Sequence, residues 1–140
     1  WERILALEPE DVEIDALIAQ APDDAEVAGA ILEDWGPEVG AEVQAQWDAK
    51  KMDPAASRAH LERLRNALPV LKRELPIDLL PSTTVERAIR ESGGPTTPAD
   101  LAAPPADYER ALRHARYIRN RFTVLDLAGD LALSPAQTRS

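Results

Sequence analysis

Five leucines recur at helical spacing in the middle of the chain, and this pattern constrains the fold more than any other. They are Leu61, Leu64, Leu68, Leu71 and Leu75. Their successive intervals of 3, 4, 3 and 4 residues place them on one face of an α-helix. Pro69 lies inside the same stretch, and a proline removes one backbone hydrogen bond and crowds the preceding turn. We therefore expect a helix with a kink or break near Pro69, whose two halves face one core.

Motifs that begin and end helices recur elsewhere in the chain, and no segment has the alternating pattern of a strand. The segments Asp23–Glu26 and Thr83–Glu86 have the composition and spacing of capping boxes, in which the first and last side chains satisfy each other's backbone N–H groups. Gly36-Pro37 and Gly93-Gly94 follow these two starts and are typical of helix ends. The sequence thus predicts one helix from residue 23 to about residue 35 and another that closes at Gly93.

The C-terminal third is predicted from its prolines and caps. Residues 98–106 hold three prolines among alanines and indicate a loop around one helical turn. Helices are expected over about 107–121 and 124–133, with Thr123 as the cap of the second. The sequence therefore predicts an all-α fold, a multi-helix bundle that forms one helical domain over residues 1–133. Residues 134–140 are predicted to be a frayed tail.

Composition excludes several classes of protein. There is no cysteine in the 140 residues, which excludes a disulfide framework and a thiol nucleophile. The net charge of −9 argues against binding to nucleic acid. No run of about 18 apolar residues is present, so no membrane span is predicted. The first residues have neither the basic nor the apolar region of a signal peptide, and a cytoplasmic location is expected.

The charges are distributed unevenly along the chain. Residues 1–55 contain 15 Asp and Glu against 3 Lys and Arg, whereas residues 56–140 contain 10 against 13. The balances are −12 and +3, which sum to the −9 of the whole chain. The simpler interpretation is that the two halves attract each other when they pack. The functional alternative is a basic face that is turned toward an anionic ligand.

No motif for catalysis, cofactor binding or metal binding stands in the sequence. The glycines form neither a GxGxxG motif nor a P-loop, so no dinucleotide or phosphate cradle is predicted. His60 and His114 each lack a second histidine at helical spacing, and a metal site needs three or four ligands. We interpret His60 as a surface residue of a helix. No residue is therefore assigned as catalytic, cofactor-binding or metal-binding.

Residues 107–121 combine an apolar stripe with arginines. On a helical wheel the stripe comprises Tyr108, Leu112, Ala115 and Ile118, with Phe122 beyond them. At about 100° per residue, Arg119 falls inside this stripe and Arg116 at its edge. A buried guanidinium must be paired, because an uncompensated buried charge is strongly destabilising. We expect Arg119 to pair with a carboxylate such as Asp126 or with one in the acidic N-terminal half. Alternatively, Arg119 and Arg116 face a cleft between this domain and a partner domain.

Three segments carry a family resemblance over about the last two thirds of the chain. One is GPTTP (Gly94–Pro98), followed by an acidic residue and leucine, and another is RYIRNRFTVLDLA (Arg116–Ala128). The third is GAEVQAQWDAK (Gly40–Lys50). They resemble bacterial glycerol-1-phosphate dehydrogenases, which belong to the iron-containing alcohol dehydrogenase and dehydroquinate synthase superfamily. The family often has Asp where this chain has Asn120.

The resemblance implies a two-domain oxidoreductase. A Rossmann-like domain that binds NAD(P) would precede a dehydroquinate synthase-like helical domain. A divalent metal, usually zinc, would be held by one Asp and two His and would polarise the ketone of dihydroxyacetone phosphate. This chain would be the helical part, inactive alone. Its partners would be the N-terminal nucleotide-binding domain of the same protein and a small phosphorylated substrate. That domain and the three metal ligands are expected upstream of Trp1, so no catalytic residue is carried over.

The beginning of the chain leads to the same expectation. The segment WERILALEP starts inside an apolar-periodic stretch without an initiator methionine, which we interpret as a domain cut from a larger protein; a processed mature N-terminus is the alternative. Two other functions remain open. One is a self-contained acidic helical module that binds a basic partner. The other is the helical domain of a dehydroquinate synthase-like enzyme or of another polyol dehydrogenase.

Overall fold

The computed structural model describes residues 1–133, which form α-helices and 3-10 turns and contain no strand. The helices are α1 (Glu2–Leu5), α2 (Ile14–Gln20), α3 (Asp24–Asp48), α4 (Pro54–Asp78), α5 (Ser82–Glu91), α6 (Pro105–His114) and α7 (Val124–Asp130). The 3-10 turns are Pro9–Asp11, Ala99–Leu101 and Ala115–Ile118. The all-α prediction is confirmed for this part of the chain. The tail predicted at 134–140 lies outside the described residues.

Helix α3 begins and bends where the sequence predicts. The Asp23 carboxylate accepts a hydrogen bond from the Glu26 amide at 2.8 Å, and the Glu26 carboxylate accepts one from the Asp23 amide at 2.9 Å. Gly36 has φ 68° and ψ −179° and separates two helical halves, a conformation that a residue without a Cβ adopts readily. The two halves pack against each other beside Gly40, where a Cβ would stand 3.5 Å from the Ile31 carbonyl oxygen.

Helix α4 carries the leucine face and runs without a break. Leu61, Leu64 and Leu68 are buried, and Leu71 packs beside them, as the spacing predicts. Of the kink or break expected near Pro69, the break is wrong, because the helix continues from Pro54 to Asp78 with Pro69 inside it. The kink stays a prediction. Pro69 lies on the exposed side of α4. Burial of the leucines on the opposite side stabilises the helix against the lost hydrogen bond.

The capping box predicted at Thr83–Glu86 is wrong. Helix α5 begins at Ser82 and has no side-chain cap of its own. Instead, the carboxylate of Glu2 in α1 accepts hydrogen bonds from the Ser82 amide and hydroxyl, both at 2.7 Å. A distant carboxylate thus takes the place of the local cap and compensates the positive end of the helix dipole. The end of α5 is as predicted, with Gly93 at φ 79° just beyond it.

The helices enclose two hydrophobic clusters. The apolar cluster brings together the N-terminal segments, α4 and α7, and its buried residues are Ile4, Val12, Ile14, Leu61, Leu64, Leu68 and Leu131. The aromatic cluster joins α3 to the 3-10 turn Ala115–Ile118, and it comprises Val27, Ile31, Val43 and Tyr117, with Trp35 and Trp47 packed against them. No helix in residues 1–133 combines the length and apolar character that a membrane crossing requires.

Ion pairs connect the acidic and the basic halves of the chain. Arg58 pairs with Asp15, and Lys72 pairs with Glu8. Arg110 lies 3.3 Å from Asp34 through its Nε atom. These pairs agree with the predicted attraction between the halves. Each involves an exposed or half-buried side chain, so each contributes about 1 kcal/mol or less.

Candidate functional site

A buried ion pair joins the C-terminal end of α3 to α7. The Asp126 side chain is 1% exposed and the Lys50 side chain 7%, and Lys50 Nζ lies 2.7 Å from Asp126 Oδ1. Lys50 Nζ also donates a hydrogen bond to the Arg116 carbonyl oxygen. Lys50 stands just beyond the last turn of α3, which directs its side chain toward the start of α7. The pair therefore fixes three segments of the chain relative to one another.

The second oxygen of Asp126 is used by the cap of α7. Asp126 Oδ2 accepts hydrogen bonds from the Thr123 amide at 2.8 Å and from the Thr123 hydroxyl at 3.0 Å. Thr123 Oγ1 in turn accepts a hydrogen bond from the Leu125 amide at 3.2 Å. The prediction that Thr123 caps the last helix is confirmed. Both carboxylate oxygens of Asp126 are thus satisfied, as the burial of a charged group requires.

Arg116 completes this network. Its Nη2 atom lies 2.6 Å from Asp130 Oδ1, and its Nε atom lies 3.5 Å from Asp126 Oδ1. The guanidinium occupies a notch in α7, since a Cβ placed on Gly129 would stand 1.7 Å from Arg116 Nη1. The Trp47 ring covers the group, with its centroid 5.3 Å from Cζ, a cation–π distance. We call Lys50, Arg116, Asp126 and Asp130 the polar centre.

The prediction that Arg119 is buried and paired is wrong. Arg119 is exposed, and among residues 1–133 no carboxylate lies within ion-pair distance of it. Helix α6 ends at His114 and the chain continues as the 3-10 turn Ala115–Ile118. Each residue of a 3-10 turn advances by about 120° rather than 100°, so the wheel loses its phase there. Arg116, which the wheel placed at the edge of the stripe, is the arginine that is buried.

The change of helix type also makes the predicted apolar stripe partly wrong. Tyr108, Leu112 and Ala115 are half-buried, whereas Ile118 and Phe122 are 43% and 48% exposed. Tyr117, which lay outside the stripe, is buried in the aromatic cluster. The predicted alternative, that Arg116 and Arg119 face a cleft with a partner domain, stays a prediction.

A second polar group surrounds Tyr117. His114 Nδ1 shares a hydrogen bond with Asp34 Oδ2, and the His114 ring stacks on Tyr117 with the centroids 5.6 Å apart. The Trp47 ring meets Tyr117 edge-on, with the centroids 5.0 Å apart. Burial raises the pKa of the Tyr117 hydroxyl, because the phenolate would lose its hydration. Sequence reasoning missed Lys50 and Asp34, which carry no local signal that distinguishes them from other surface charges.

His60 is half-buried and is not the surface residue that was predicted. Its Nε2 atom lies 3.5 Å from Asp130 Oδ2, and its ring meets Phe122 edge-on at 5.1 Å. Within residues 1–133 no three His, Cys, Asp or Glu side chains are grouped as a metal site would require. Asp126 and Asp130 instead lie beside Lys50 and Arg116. The described residues therefore do not fit a metal ion, and the polar centre is a charge-compensated link between segments.

A pocket of about 580 Å³, lined in part by Arg116, opens between α1, residues 112–117 and α7. Its walls are largely apolar and include Ile4, Leu112 and Leu125. Arg113 and Arg116 also line it. The volume falls in the range of sites for small molecules.

Comparisons with protein-family models, with curated proteins and with solved structures give no significant match to the chain.

Proposed function

We propose that the chain is the helical domain of an NAD(P)- and metal-dependent oxidoreductase that resembles glycerol-1-phosphate dehydrogenases. In this proposal the cytoplasmic parent protein reduces dihydroxyacetone phosphate. The helical domain forms one wall of the cleft in which the reaction occurs. The chain alone carries out no turnover. A dehydroquinate synthase-like enzyme or another polyol dehydrogenase would use the same domain, and the parent's substrate distinguishes these members of the superfamily.

The observation that supports the proposal most is the contact between two of the resembling segments. Lys50 is the last residue of the segment Gly40–Lys50, and Asp126 belongs to the segment Arg116–Ala128. They are 76 residues apart in the sequence and form the buried pair of 2.7 Å. Arg116, the first residue of the second segment, joins the same pair through its carbonyl oxygen. Two of the three resembling segments therefore hold each other in place.

The proposal places the nucleotide site and the metal ligands in other parts of the parent. The described residues contain no strand that could precede a phosphate-binding turn and no grouping of metal ligands. When bound, the metal would polarise the substrate carbonyl. The residues of this chain would hold one wall of the cleft rigid, since the polar centre anchors α7 and the 3-10 turn Ala115–Ile118.

The test begins with the coding sequence upstream of the Trp1 codon. We expect a strand, a Gly-rich turn and a helix, followed by a segment that supplies two histidines. The complete encoded protein, loaded with zinc, is then assayed for NAD(P)H oxidation with dihydroxyacetone phosphate, beside the 140-residue chain as a control. The proposal is supported if the complete protein oxidises NAD(P)H with the ketone and the 140-residue chain does not. It is contradicted if the 140-residue chain itself turns over, or if the complete protein fails to oxidise NAD(P)H with any ketone substrate.

A second candidate is an acidic interaction module, and one observation favours it. Many carboxylates of residues 1–55 are exposed, among them Glu13, Glu33 and Glu38, and no ion pair of these three is formed within residues 1–133. Such a surface would attract a basic partner. The coding sequence separates the two candidates, because a start codon close to Trp1 would favour the module over the oxidoreductase.

A further inference from the structure

The pocket between α1, residues 112–117 and α7 presents arginines in a chain whose net charge is −9. Its charged lining within residues 1–133 consists of Glu2, Arg3, Arg113 and Arg116, with His114 beside them. The charge of Arg116 is balanced by Asp130, whereas no ion pair within residues 1–133 balances the charge of Arg113. An unbalanced guanidinium beside an apolar wall attracts anions locally.

The one carboxylate that lines the pocket within residues 1–133 is already engaged. Both oxygens of Glu2 accept hydrogen bonds from Ser82 at 2.7 Å. Arg113 is exposed and forms no ion pair within the described part of the chain. Arg116 uses Nη2 for Asp130, and its Nη1 atom makes no hydrogen bond to residues 1–133. Two guanidinium groups therefore have N–H donors left for a ligand.

The space beside these arginines is built by small residues of α7. Ala128, Gly129 and Ala132 line the pocket, and the missing side chain at Gly129 lets the Arg116 guanidinium lie directly against the helix. The remaining walls, which include Leu112 and Leu125, are aliphatic. A ligand that fits this lining has an anionic head, which the arginines bind, and an apolar body.

We propose that this pocket binds a small organic anion with an apolar body, such as an alkyl phosphate or an alkyl carboxylate. Arg113 and Arg116 bind the head through charge-assisted hydrogen bonds. The aliphatic walls bury the alkyl chain. The proposal does not depend on the function proposed above, because it rests only on the lining of the pocket and on the N–H donors that Arg113 and Arg116 have left for a ligand.

The test is a titration of the 140-residue chain, followed through the NMR amide signals of Ala128 and Gly129. The probes are octyl phosphate, octanoate, glycerol phosphate and neutral octanol. Octyl phosphate is expected to bind at least about tenfold more tightly than glycerol phosphate, because its chain buries apolar area. Binding of octanoate at a similar concentration would show that a carboxylate head suffices, and failure of octanoate would restrict the ligand to phosphates; both results support the pocket.

Two variants separate the pocket from a general charge effect. Arg113→Gln is expected to weaken the binding of octyl phosphate by about tenfold, since it removes a charge-assisted hydrogen bond. Arg87→Gln removes the same charge from α5, outside the pocket, and is expected to change binding less than about twofold. Equal effects of the two variants would overturn the proposal. Equal binding of octyl phosphate and glycerol phosphate, or of octyl phosphate and octanol, would also overturn it.

Discussion

The apolar cluster and the polar centre both hold the helices together, but by different means. The apolar cluster uses side chains such as Leu61, Leu64 and Leu68, which pack without directional bonds. The polar centre uses Lys50 and Asp126, whose charges must meet within hydrogen-bond distance once they are buried. An apolar contact tolerates small shifts of the helices, whereas a buried charge pair does not. The polar centre therefore specifies the position of α7, and the apolar cluster supplies most of the burial.

The largest effect is expected from Asp126→Ala. The substitution leaves the Lys50 ammonium buried without its carboxylate and removes the capping partner of Thr123, so the free energy of unfolding should fall by about 3–5 kcal/mol. Urea denaturation followed by circular dichroism at pH 7 measures the change. The matched control is Asp107→Ala, whose carboxylate is exposed and pairs with Arg110, with an expected loss of about 1 kcal/mol or less. If the two variants lost equal stability, the polar centre would not be a specific link between α3 and α7.

Leu68→Ala tests the other side of the comparison. Leu68 is 0% exposed, and its truncation should lower the free energy of unfolding by about 2–5 kcal/mol through lost burial and a residual cavity. Leu80→Ala is the control, because Leu80 is 64% exposed and its loss should cost about 0.5 kcal/mol or less. Both are measured by the same urea denaturation. A loss for Leu68→Ala as small as that for Leu80→Ala would show that α4 contributes little to the apolar cluster.

The two regions also differ in how far the sequence predicts them. The spacing of the leucines identifies the buried face of α4, because periodicity reports directly which side chains share a face. The Thr123 cap is equally local, since Thr123 and Asp126 are three residues apart. The Lys50–Asp126 pair spans 76 residues, and no local pattern indicates that these two side chains meet. The wheel assigned burial to Arg119 instead of Arg116, because the change from α-helix to 3-10 turn after His114 depends on packing rather than on propensity.

Gly129→Ala tests how closely Arg116 must approach α7. A Cβ at position 129 would displace the guanidinium, since it would stand 1.7 Å from Nη1, and the bond to Asp130 would be weakened. Gly29→Ala is the matched control in α3, where a Cβ meets nothing within 4 Å, so it should raise the free energy of unfolding by about 0.5–1 kcal/mol. Gly129→Ala is expected to be less stable than Gly29→Ala by at least about 1 kcal/mol. Equal stabilisation by both variants would mean that Arg116 moves without cost.

The smallest effect is expected at the contact between α1 and α5. Helix α1 also carries Ile4 into the apolar cluster. Hydrogen bonds from the Ser82 hydroxyl and amide hold the pKa of the Glu2 carboxyl below its ordinary value of 4.5. Because the folded pKa is the lower one, this contact stabilises the fold fully above the unfolded pKa, and the stabilisation is lost as the pH falls through the folded pKa. The Ser82 amide chemical shift, measured by NMR between about pH 6 and pH 2, should therefore follow a titration with a midpoint below that of a free glutamate. Glu2→Gln should abolish that titration, while Glu10→Gln, at another exposed position of the N-terminal region, should leave it unchanged. A Ser82 titration that persisted in Glu2→Gln would assign the cap of α5 to another group.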